Sequence, residues 1–305
     1  IPVEYPKVGE PPSAVKIGVV DVASSQLKWM SIPGDTRQHY LPRMEWSGNQ
    51  ELIVQQLNRK QNQSVLYLAN AATGVSQSVY KETDEAWIDI LPSIDDDYSY
   101  GGWDWLNNGK SFLWMSEKDG WRHLYRVSRN GKEEVLLTKG DFDVIEIAVV
   151  KEFEGYVYYY ASPGNATQKY LFRSKLNGDG LPERLTPVDQ PGTHSYTISP
   201  KADFAYHSFS NHKVPYITES IQLSTHKNAG GQSKIADAVV QSASRKSALE
   251  FFKVKTEQGV EMDGWMVKPD NFDPGKKYPI VFFVYTEPAG ANVVDRFGVG
   301  NNRLY

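Results

Sequence analysis

Residues 277–288 read Lys-Tyr-Pro-Ile-Val-Phe-Phe-Val-Tyr-Thr-Glu-Pro, an apolar run with a proline near each end. The six residues from Ile280 to Tyr285 are all aliphatic or aromatic and do not alternate with polar ones. A short run of β-branched and aromatic residues indicates a strand that is covered on both faces. Burial of residues 281–284 contributes about 1.5–3 kcal/mol each, and this requires neighbouring strands and helices. We therefore predict an inner strand whose sheet partners are encoded beyond Tyr305.

Length and composition exclude several classes of protein. A chain of 305 residues can hold two domains and a large core. The net charge of −4, without a basic stripe, argues against nucleic-acid binding. The sequence has no run of about eighteen apolar residues, which is the length that would predict a membrane span. The absence of cysteine excludes disulfides and thiolate chemistry. The chain begins with Ile1 and has no leader pattern, so we expect that it is cut at its N-terminus.

A repeat runs through the first 220 residues. Aromatic residues make up 12% of the chain, which favours β structure. Corresponding apolar strands recur in steps of about 47, 58, 47 and 46 residues, and their central positions are Val19, Leu66, Leu124, Leu171 and Ile217. About four short strands per unit at this period is typical of β-propeller blades. Because so few blades do not close a ring, either the chain holds the C-terminal blades of a propeller or the period has another origin.

The pattern changes near residue 246. Before it, Ser233 is placed to cap a short helix. After it, residues 249–255 and 263–269 predict a hairpin, which the apolar run of residues 277–288 follows. We therefore predict mainly β structure in two parts, with propeller blades over residues 1–246 and the start of a second domain over residues 247–305.

Few residues match a catalytic, metal-binding or phosphate-binding motif. The chain has no Gly-x-Ser-x-Gly motif, the usual nucleophile signal of α/β-hydrolases. The six histidines show no metal-ligand spacing, so we interpret each as a surface or strand histidine. Asp95–Asp97 lacks the alternating spacing of a calcium loop and reads as a solvated turn. There is no phosphate-binding glycine loop. The sequence therefore predicts no cofactor and no metal.

Tyr285 is the remaining candidate. A phenol with a pKa near 10 is neutral at pH 7, so it can donate a hydrogen bond to a developing oxyanion. Such a donor contributes about 2.7–4 kcal/mol in acyl-transfer enzymes. The end of a buried strand would hold the phenol rigidly. The alternative is that Tyr285 is an ordinary structural tyrosine at a strand end.

Four stretches in order along the chain support a resemblance to a known family. They are Tyr5–Gly9, Ser116–Tyr125 in a blade, Asp263–Pro269, and residues 277–285 with Pro288. Together they resemble the dipeptidyl peptidase IV family of prolyl-oligopeptidase-like serine peptidases. The resemblance covers essentially the whole chain. Its more specific parts are the blade motif and the strand before Tyr285.

The resemblance implies an eight-bladed propeller that covers an α/β-hydrolase domain. Residues 1–246 would then be C-terminal blades, and residues 247–305 would be the first strands of a truncated hydrolase domain. It also implies release of N-terminal dipeptides with proline or alanine in second position, so the partners are peptide substrates. A homodimer through the hydrolase domain is implied as well, in a periplasmic, extracellular or membrane-associated location.

Tyr285 matches the tyrosine that supplies the oxyanion hydrogen bond in this family. The sequence departs from the family at Thr286 and Glu287, where small residues are usual before the proline. A carboxylate at 287 would oppose negative charge at the oxyanion, so either it faces away or the activity is altered. Residues 87–92 lie where relatives place residues that line the substrate cavity, but the resemblance assigns no role to any of them. The nucleophile, the triad Asp and His, and the glutamate pair that binds the substrate amino group are expected outside residues 1–305.

Two interpretations from different classes stay open. The first is a serine exopeptidase of which this chain is the central portion, inactive by itself. The second is a non-catalytic propeller that binds protein or glycan, with a degenerate hydrolase segment; only Thr286 and Glu287 favour it. Under the first interpretation, the enzyme could also release tripeptides or acylated amino acids with the same fold. This alternative stays open because the residues that recognise the substrate chain end are expected upstream.

Overall fold

The structure is a computed structural model that describes residues 7–90, 104–230, 249–269, 271–284 and 292–298. Over these ranges the chain forms twenty β-strands and one short 3-10 turn, Glu152–Glu154, and no α-helix. None of its described parts has a helix with the length and hydropathy needed to cross a membrane.

The strands are β1 (Gly18–Val20), β2 (Leu27–Trp29), β3 (His39–Trp46), β4 (Glu51–Asn58), β5 (Gln63–Asn70), β6 (Ser76–Thr83), β7 (Trp105–Leu106), β8 (Ser111–Ser116), β9 (His123–Ser128), β10 (Glu134–Leu136), β11 (Val144–Lys151), β12 (Tyr156–Ala161), β13 (Tyr170–Lys175), β14 (Glu183–Arg184), β15 (Thr193–Ile198), β16 (Phe204–Ser210), β17 (Ile217–Gln222), β18 (Lys227–Gly230), β19 (Leu249–Lys255) and β20 (Glu261–Val267).

The strands form four antiparallel sheets of four strands, each with its strands in sequence order: β3–β6, β7–β10, β11–β14 and β15–β18. Four strands in this order are the unit of a propeller blade. The repeat positions Leu66, Leu124, Leu171 and Ile217 all lie in the third strand of their sheet. The blade prediction is therefore confirmed. Two hairpins, β1–β2 and β19–β20, complete the described strands, and the second is the hairpin that the sequence predicts after residue 246.

The chain divides into two compact units. The first comprises residues up to Lys139 together with Leu176–Asp179, and the second comprises Gly140–Lys175 and residues from Gly180 onward. In the first unit, Ile53 and Val54 are neighbours in β4 and both are fully buried. Since successive strand residues point to opposite faces, this sheet is covered on both sides. Ile53 packs in a cluster with residues of β8 and β9, whereas Val54 packs with residues flanking β1 and β2.

A buried threonine recurs at the end of two sheets. The main-chain N–H of Leu124 donates to the hydroxyl oxygen of Thr138 at 3.0 Å, and that of Leu171 donates to the hydroxyl oxygen of Thr186 at 2.9 Å. Buried amides need such partners. The threonine at the end of each of these two repeats therefore accepts a hydrogen bond from a main-chain N–H in the third strand of its own sheet.

Two turn glycines sit against the preceding strands of the first unit. Gly74 and Gly131 both have positive φ, at 77° and 69°. A Cβ on Gly74 would lie 2.5 Å from the Trp29 carbonyl oxygen, and one on Gly131 would lie 1.6 Å from the Val79 carbonyl oxygen. Only glycine combines the left-handed conformation with so close a backbone approach.

The apolar run of residues 277–288 is where the structure departs from our prediction. Residues 280–284 lie in none of the described strands, and their side chains are 60% to 81% exposed. Apolar strands need neighbours on both sides before they become buried, and none of the described strands pairs with this run. The repeat pattern also did not identify strands β3, β11 and β15, and the sequence reads as a turn at β7 and as a loop at β18. The predicted helix after Ser233 lies outside the described residues.

Candidate functional site

Tyr285, the predicted oxyanion donor, lies outside the described residues, as do Thr286 and Glu287. Its role therefore stays a prediction. The structure describes the chain up to Val284 and again from Asn292 to Gly298. The second of these segments is firmly attached to the second unit.

Asp295 provides that attachment through its side chain. It is only 6% exposed, and a buried carboxylate must be hydrogen-bonded to offset its desolvation. Oδ1 accepts from the main-chain N–H of His212 at 2.9 Å and from its ring Nδ1 at 2.7 Å. Oδ2 accepts from the Gln168 side-chain amide at 2.9 Å. The carboxylate thus joins the loop between β12 and β13 to the loop between β16 and β17.

The main chain of Asp295 adds two hydrogen bonds. Its N–H donates to the Thr167 carbonyl at 2.6 Å, and its carbonyl accepts from the Thr193 hydroxyl at 2.8 Å. A position ten residues after Tyr285 is therefore fixed to the blades β11–β14 and β15–β18.

A second candidate is the segment that follows β6. Asp84 accepts from the main-chain N–H groups of Ala86 at 2.7 Å and Trp87 at 2.9 Å, and these bonds hold the pKa of its carboxyl below the usual value. The Ile88 N–H donates to the Gln61 carbonyl at 2.7 Å. These bonds turn the chain so that residues 87–89 form one wall of a surface pocket. The continuation of this segment, including the Asp95–Asp97 turn, lies outside the described residues.

This pocket, which we call the acidic pocket, is a shallow surface depression whose enclosed volume is about 10 Å³, close to the space that one water molecule needs. It is lined by Glu82, Asp84, Trp87, Ile88, Asp89, Met115, Ser116, Glu117 and Lys118. Four of the lining residues are carboxylates and one is a lysine. The lining therefore favours a positively charged group next to the indole of Trp87.

Two cations in the turn between β8 and β9 form ion pairs at the rim of the acidic pocket. Arg122 lies 3.0 Å from Glu117 and 3.5 Å from Asp89. Lys118 is turned toward Glu134, at 2.5 Å. In the same region the Trp114 indole N–H donates to Glu82 at 2.9 Å. The carboxylates are thus held in place by the hairpin that carries the blade motif Ser116–Tyr125.

The structure also brings together side chains that we interpreted separately. His194 and His207 lie in strands β15 and β16, as strand histidines. Their rings stack with centroids 5.1 Å apart, and His207 also contacts Glu219 and His226. The sequence hides this cluster because its members are 12 to 13 residues apart in β15, β16 and β17 and meet only through strand register. A correct hairpin alignment of β16 with β17 is the signal that could have found the pair His207 and Glu219.

Comparisons with known proteins place these features in context. Residues 1–216 match the model of the dipeptidyl peptidase IV (DPP IV) N-terminal region. The chain is 26% identical to a probable dipeptidyl-aminopeptidase B of Aspergillus oryzae, over 97% of this chain and 34% of that protein. It is 24% identical to a probable dipeptidyl peptidase 4 of Emericella nidulans, over 97% of this chain and 39% of that protein.

Among solved structures, the crystal structure of Porphyromonas gingivalis dipeptidyl peptidase 4 superposes with a TM-score of 0.79. The two are 26% identical, and the match covers 96% of this chain and 40% of that chain. The chain thus spans between a third and two fifths of the relatives it matches.

Proposed function

Because this chain belongs to the dipeptidyl peptidase IV family, as its blade motif led us to expect, we propose that it is the central part of a serine exopeptidase. The enzyme removes N-terminal dipeptides with proline or alanine in second position. The observation that carries this proposal is the alignment along 97% of the chain with proteins called dipeptidyl aminopeptidases and peptidases. The four complete blades agree with the match to the DPP IV N-terminal region.

In this proposal the two parts of the chain have different tasks. Residues 1–246 supply propeller blades that restrict access to short peptide ends, and residues 247–305 begin the hydrolase domain. The serine, the triad histidine and the triad aspartate come from outside residues 1–305 and follow the usual scheme, in which histidine takes the proton of the attacking serine. Tyr285 donates its phenolic hydrogen bond to the oxyanion. The segment by itself is inactive.

The acidic pocket suits the same substrate class. An exopeptidase of this type must attract the free ammonium group at the substrate N-terminus. The carboxylates of Glu82, Asp84, Asp89 and Glu117 outnumber the two cations near them, which are Lys118 and Arg122. Electrostatic attraction of this kind raises the rate of encounter with a cationic ligand. We assign this attraction, and not the final recognition of the ammonium group, to the acidic pocket.

Family membership also extends the proposal to assembly and location. We propose a homodimer through the hydrolase domain and action outside the cytoplasm, in the periplasm or at the cell exterior. The competing function is a non-catalytic propeller that binds protein or glycan. It is favoured by Thr286 and Glu287, which put a carboxylate two positions from the predicted oxyanion donor.

The test is a release assay on the intact protein with three chromogenic substrates: Gly-Pro, Ala-Ala-Pro and N-acetyl-Ala p-nitroanilides. We expect release from Gly-Pro and its loss after labelling with a serine-directed fluorophosphonate. Release only from the tripeptide or the acetylated substrate would assign tripeptidyl or acylaminoacyl activity in the same fold. A protein that cleaves none of them and takes up no label would be the binding module.

A further inference from the structure

Three side chains that can bind a metal converge on one side of the sheet β15–β18. His207 lies in β16, Glu219 lies directly opposite in β17, and His226 lies in the turn before β18. One ligand atom from each lies within 4.8 Å of the others. His207 is 1% exposed, whereas Glu219 and His226 are partly exposed. The group is therefore built into the sheet and is still reachable from solvent.

The hydrogen bonds behind His207 fix which of its ring nitrogens carries a proton. Nε2 of His194 lies 2.9 Å from the Gln190 carbonyl oxygen, which can only accept, so His194 donates from Nε2. A neutral His194 then has a lone pair on Nδ1. Nε2 of His207 lies 2.8 Å from that atom and must be the donor. A neutral His207 is therefore left with a lone pair on Nδ1.

That lone pair faces another acceptor. Nδ1 of His207 lies 3.0 Å from Oε1 of Glu219, and a carboxylate oxygen also only accepts. While both rings are neutral, the contact between Nδ1 of His207 and Oε1 of Glu219 has no hydrogen to share. Two acceptors that face each other at hydrogen-bond distance require a positive charge between them or beside them.

We propose that His207, Glu219 and His226 bind a divalent transition-metal ion, and that zinc is the ion the ligands suit best. Two imidazoles and one carboxylate form a known zinc ligand set, whereas calcium and magnesium prefer oxygen ligands alone. Ligand atoms of one tetrahedral zinc lie about 3.3 Å apart. To close the site around zinc, ligand atoms that lie up to 4.8 Å apart must approach by about 1.5 Å.

The surrounding residues have the arrangement of an outer ligand shell. Metal-bound histidines usually donate their second N–H to a fixed acceptor. His207 does so through His194 to the Gln190 carbonyl. The free oxygen of Glu219 accepts from the Asn228 amide at 3.1 Å, which orients the carboxylate.

His226 has its own support. Nε2 of its ring lies 2.9 Å from the Tyr196 hydroxyl, which in turn lies 2.9 Å from the Thr186 hydroxyl. Its backbone has a φ of 52°, in the left-handed region that histidine adopts more often than most residues other than glycine. A bound ion would tie the turn before β18 to strands β16 and β17.

The test uses the intact, untagged protein after removal of metal with a chelator. Isothermal titration with ZnCl₂ should show one tight site per chain, and zinc should raise the unfolding temperature. Glu219→Gln and His226→Asn should each weaken zinc binding at least tenfold. Asparagine is chosen because it tolerates the left-handed conformation. His39→Gln, which removes a histidine outside the cluster, should bind zinc as the parent does.

Binding of Co²⁺ gives a second readout that is independent of peptidase activity. The visible absorption band of bound Co²⁺ should reach its full height at one equivalent of Co²⁺ per chain. The band should be absent in Glu219→Gln and His226→Asn. The proposal is overturned if the parent binds neither ion, or if both variants bind zinc as tightly as the parent. Either result would mean that a shared proton, and not a metal, holds His207 to Glu219.

Discussion

Asp295 and His212 are joined by two hydrogen bonds to the same carboxylate oxygen, one from the main-chain N–H at 2.9 Å and one from ring Nδ1 at 2.7 Å. This pair attaches the segment that follows Tyr285 to the loop between β16 and β17. The described segment from Asn292 to Gly298 is therefore tied to a blade through the side chain of Asp295.

Substitution of Asp295 should show how much this attachment contributes. Asp295→Ala leaves the donors of His212 and Gln168 without their acceptor, so we expect the free energy of unfolding to fall by about 2–4 kcal/mol. Urea denaturation of the intact protein, followed by fluorescence, measures the change. The matched control is Asp203→Ala, which removes an exposed carboxylate and should change the value by less than about 0.5 kcal/mol. Equal losses in the two variants would contradict the prediction.

Tyr285→Phe tests the catalytic proposal directly. Loss of one oxyanion hydrogen bond should lower kcat about a hundredfold or more, with little change in KM or in the unfolding temperature. Steady-state kinetics on a Gly-Pro substrate measures both constants. Tyr278→Phe is the control, because that hydroxyl accepts a hydrogen bond from the Asp273 main chain and supports only the local loop. Full activity in the Tyr285 variant would reject its role.

Gly131→Ala should destabilise the first unit by more than about 3 kcal/mol. The new Cβ would meet the Val79 carbonyl oxygen at 1.6 Å in addition to the cost of a left-handed alanine. Gly120→Ala separates the two effects, since Gly120 also has a positive φ, 97°, but has open space around its Cβ position. We expect that control to lose only about 1–2 kcal/mol. Thermal unfolding of both variants measures the difference, and similar losses would mean that the close approach is relieved by movement.

Asp104 should make the protein less stable as pH rises. Burial, with a smaller contribution from Glu45, raises the pKa of its carboxyl to about 6, while Arg43 opposes the shift. The folded state then binds more protons than the unfolded state between about pH 4 and 6, so this group lowers stability as pH increases through that range. Asp104→Asn should therefore be more stable than the parent above pH 6, by about 1–3 kcal/mol, and equal to it near pH 4.

Denaturation midpoints at pH 4, 5, 6 and 7 test the sign of this effect. Asp21→Asn is the contrasting variant, since hydrogen bonds from Ser24 lower the pKa of the Asp21 carboxyl. A lowered pKa stabilises the folded state at neutral pH, and this contribution is lost as the pH falls through the folded pKa. The Asp21 variant should therefore be no more stable than the parent at pH 7. An Asp104 variant without a gain above pH 6 would show that its carboxyl is not buried as described.

The blades could be predicted from sequence because their signals are local. The third strands around Leu66, Leu124 and Leu171 are short apolar runs next to glycine turns, and the structure places each in the same position of its sheet. The sequence pattern did not predict strand β11, because its register against β12 shifts twice. The shifts lie between Val144 and Glu146 and between Ile147 and Val149. Such bulges break the alternation that identifies a strand.

The candidate sites could be predicted only in part, because side chains meet through register and not through spacing. His207 and Glu219 are 12 residues apart and face each other only when β16 and β17 pair as they do. Asp295 is 83 residues from His212, and the sequence around it has no recognisable motif. The match of Tyr285 to the family motif came from resemblance, and its surroundings depend on residues that the structure does not describe.

The exposed run at residues 280–284 has a consequence for aggregation. Its five residues combine high β-propensity with no charge, which is the composition of segments that nucleate cross-β aggregates. Lys276, Lys277 and Pro279 precede it, and Glu287 and Pro288 follow it, as gatekeepers do in natural sequences. A run of this composition that stays uncovered can pair with the same run of another chain, and the flanking charges and prolines oppose that pairing.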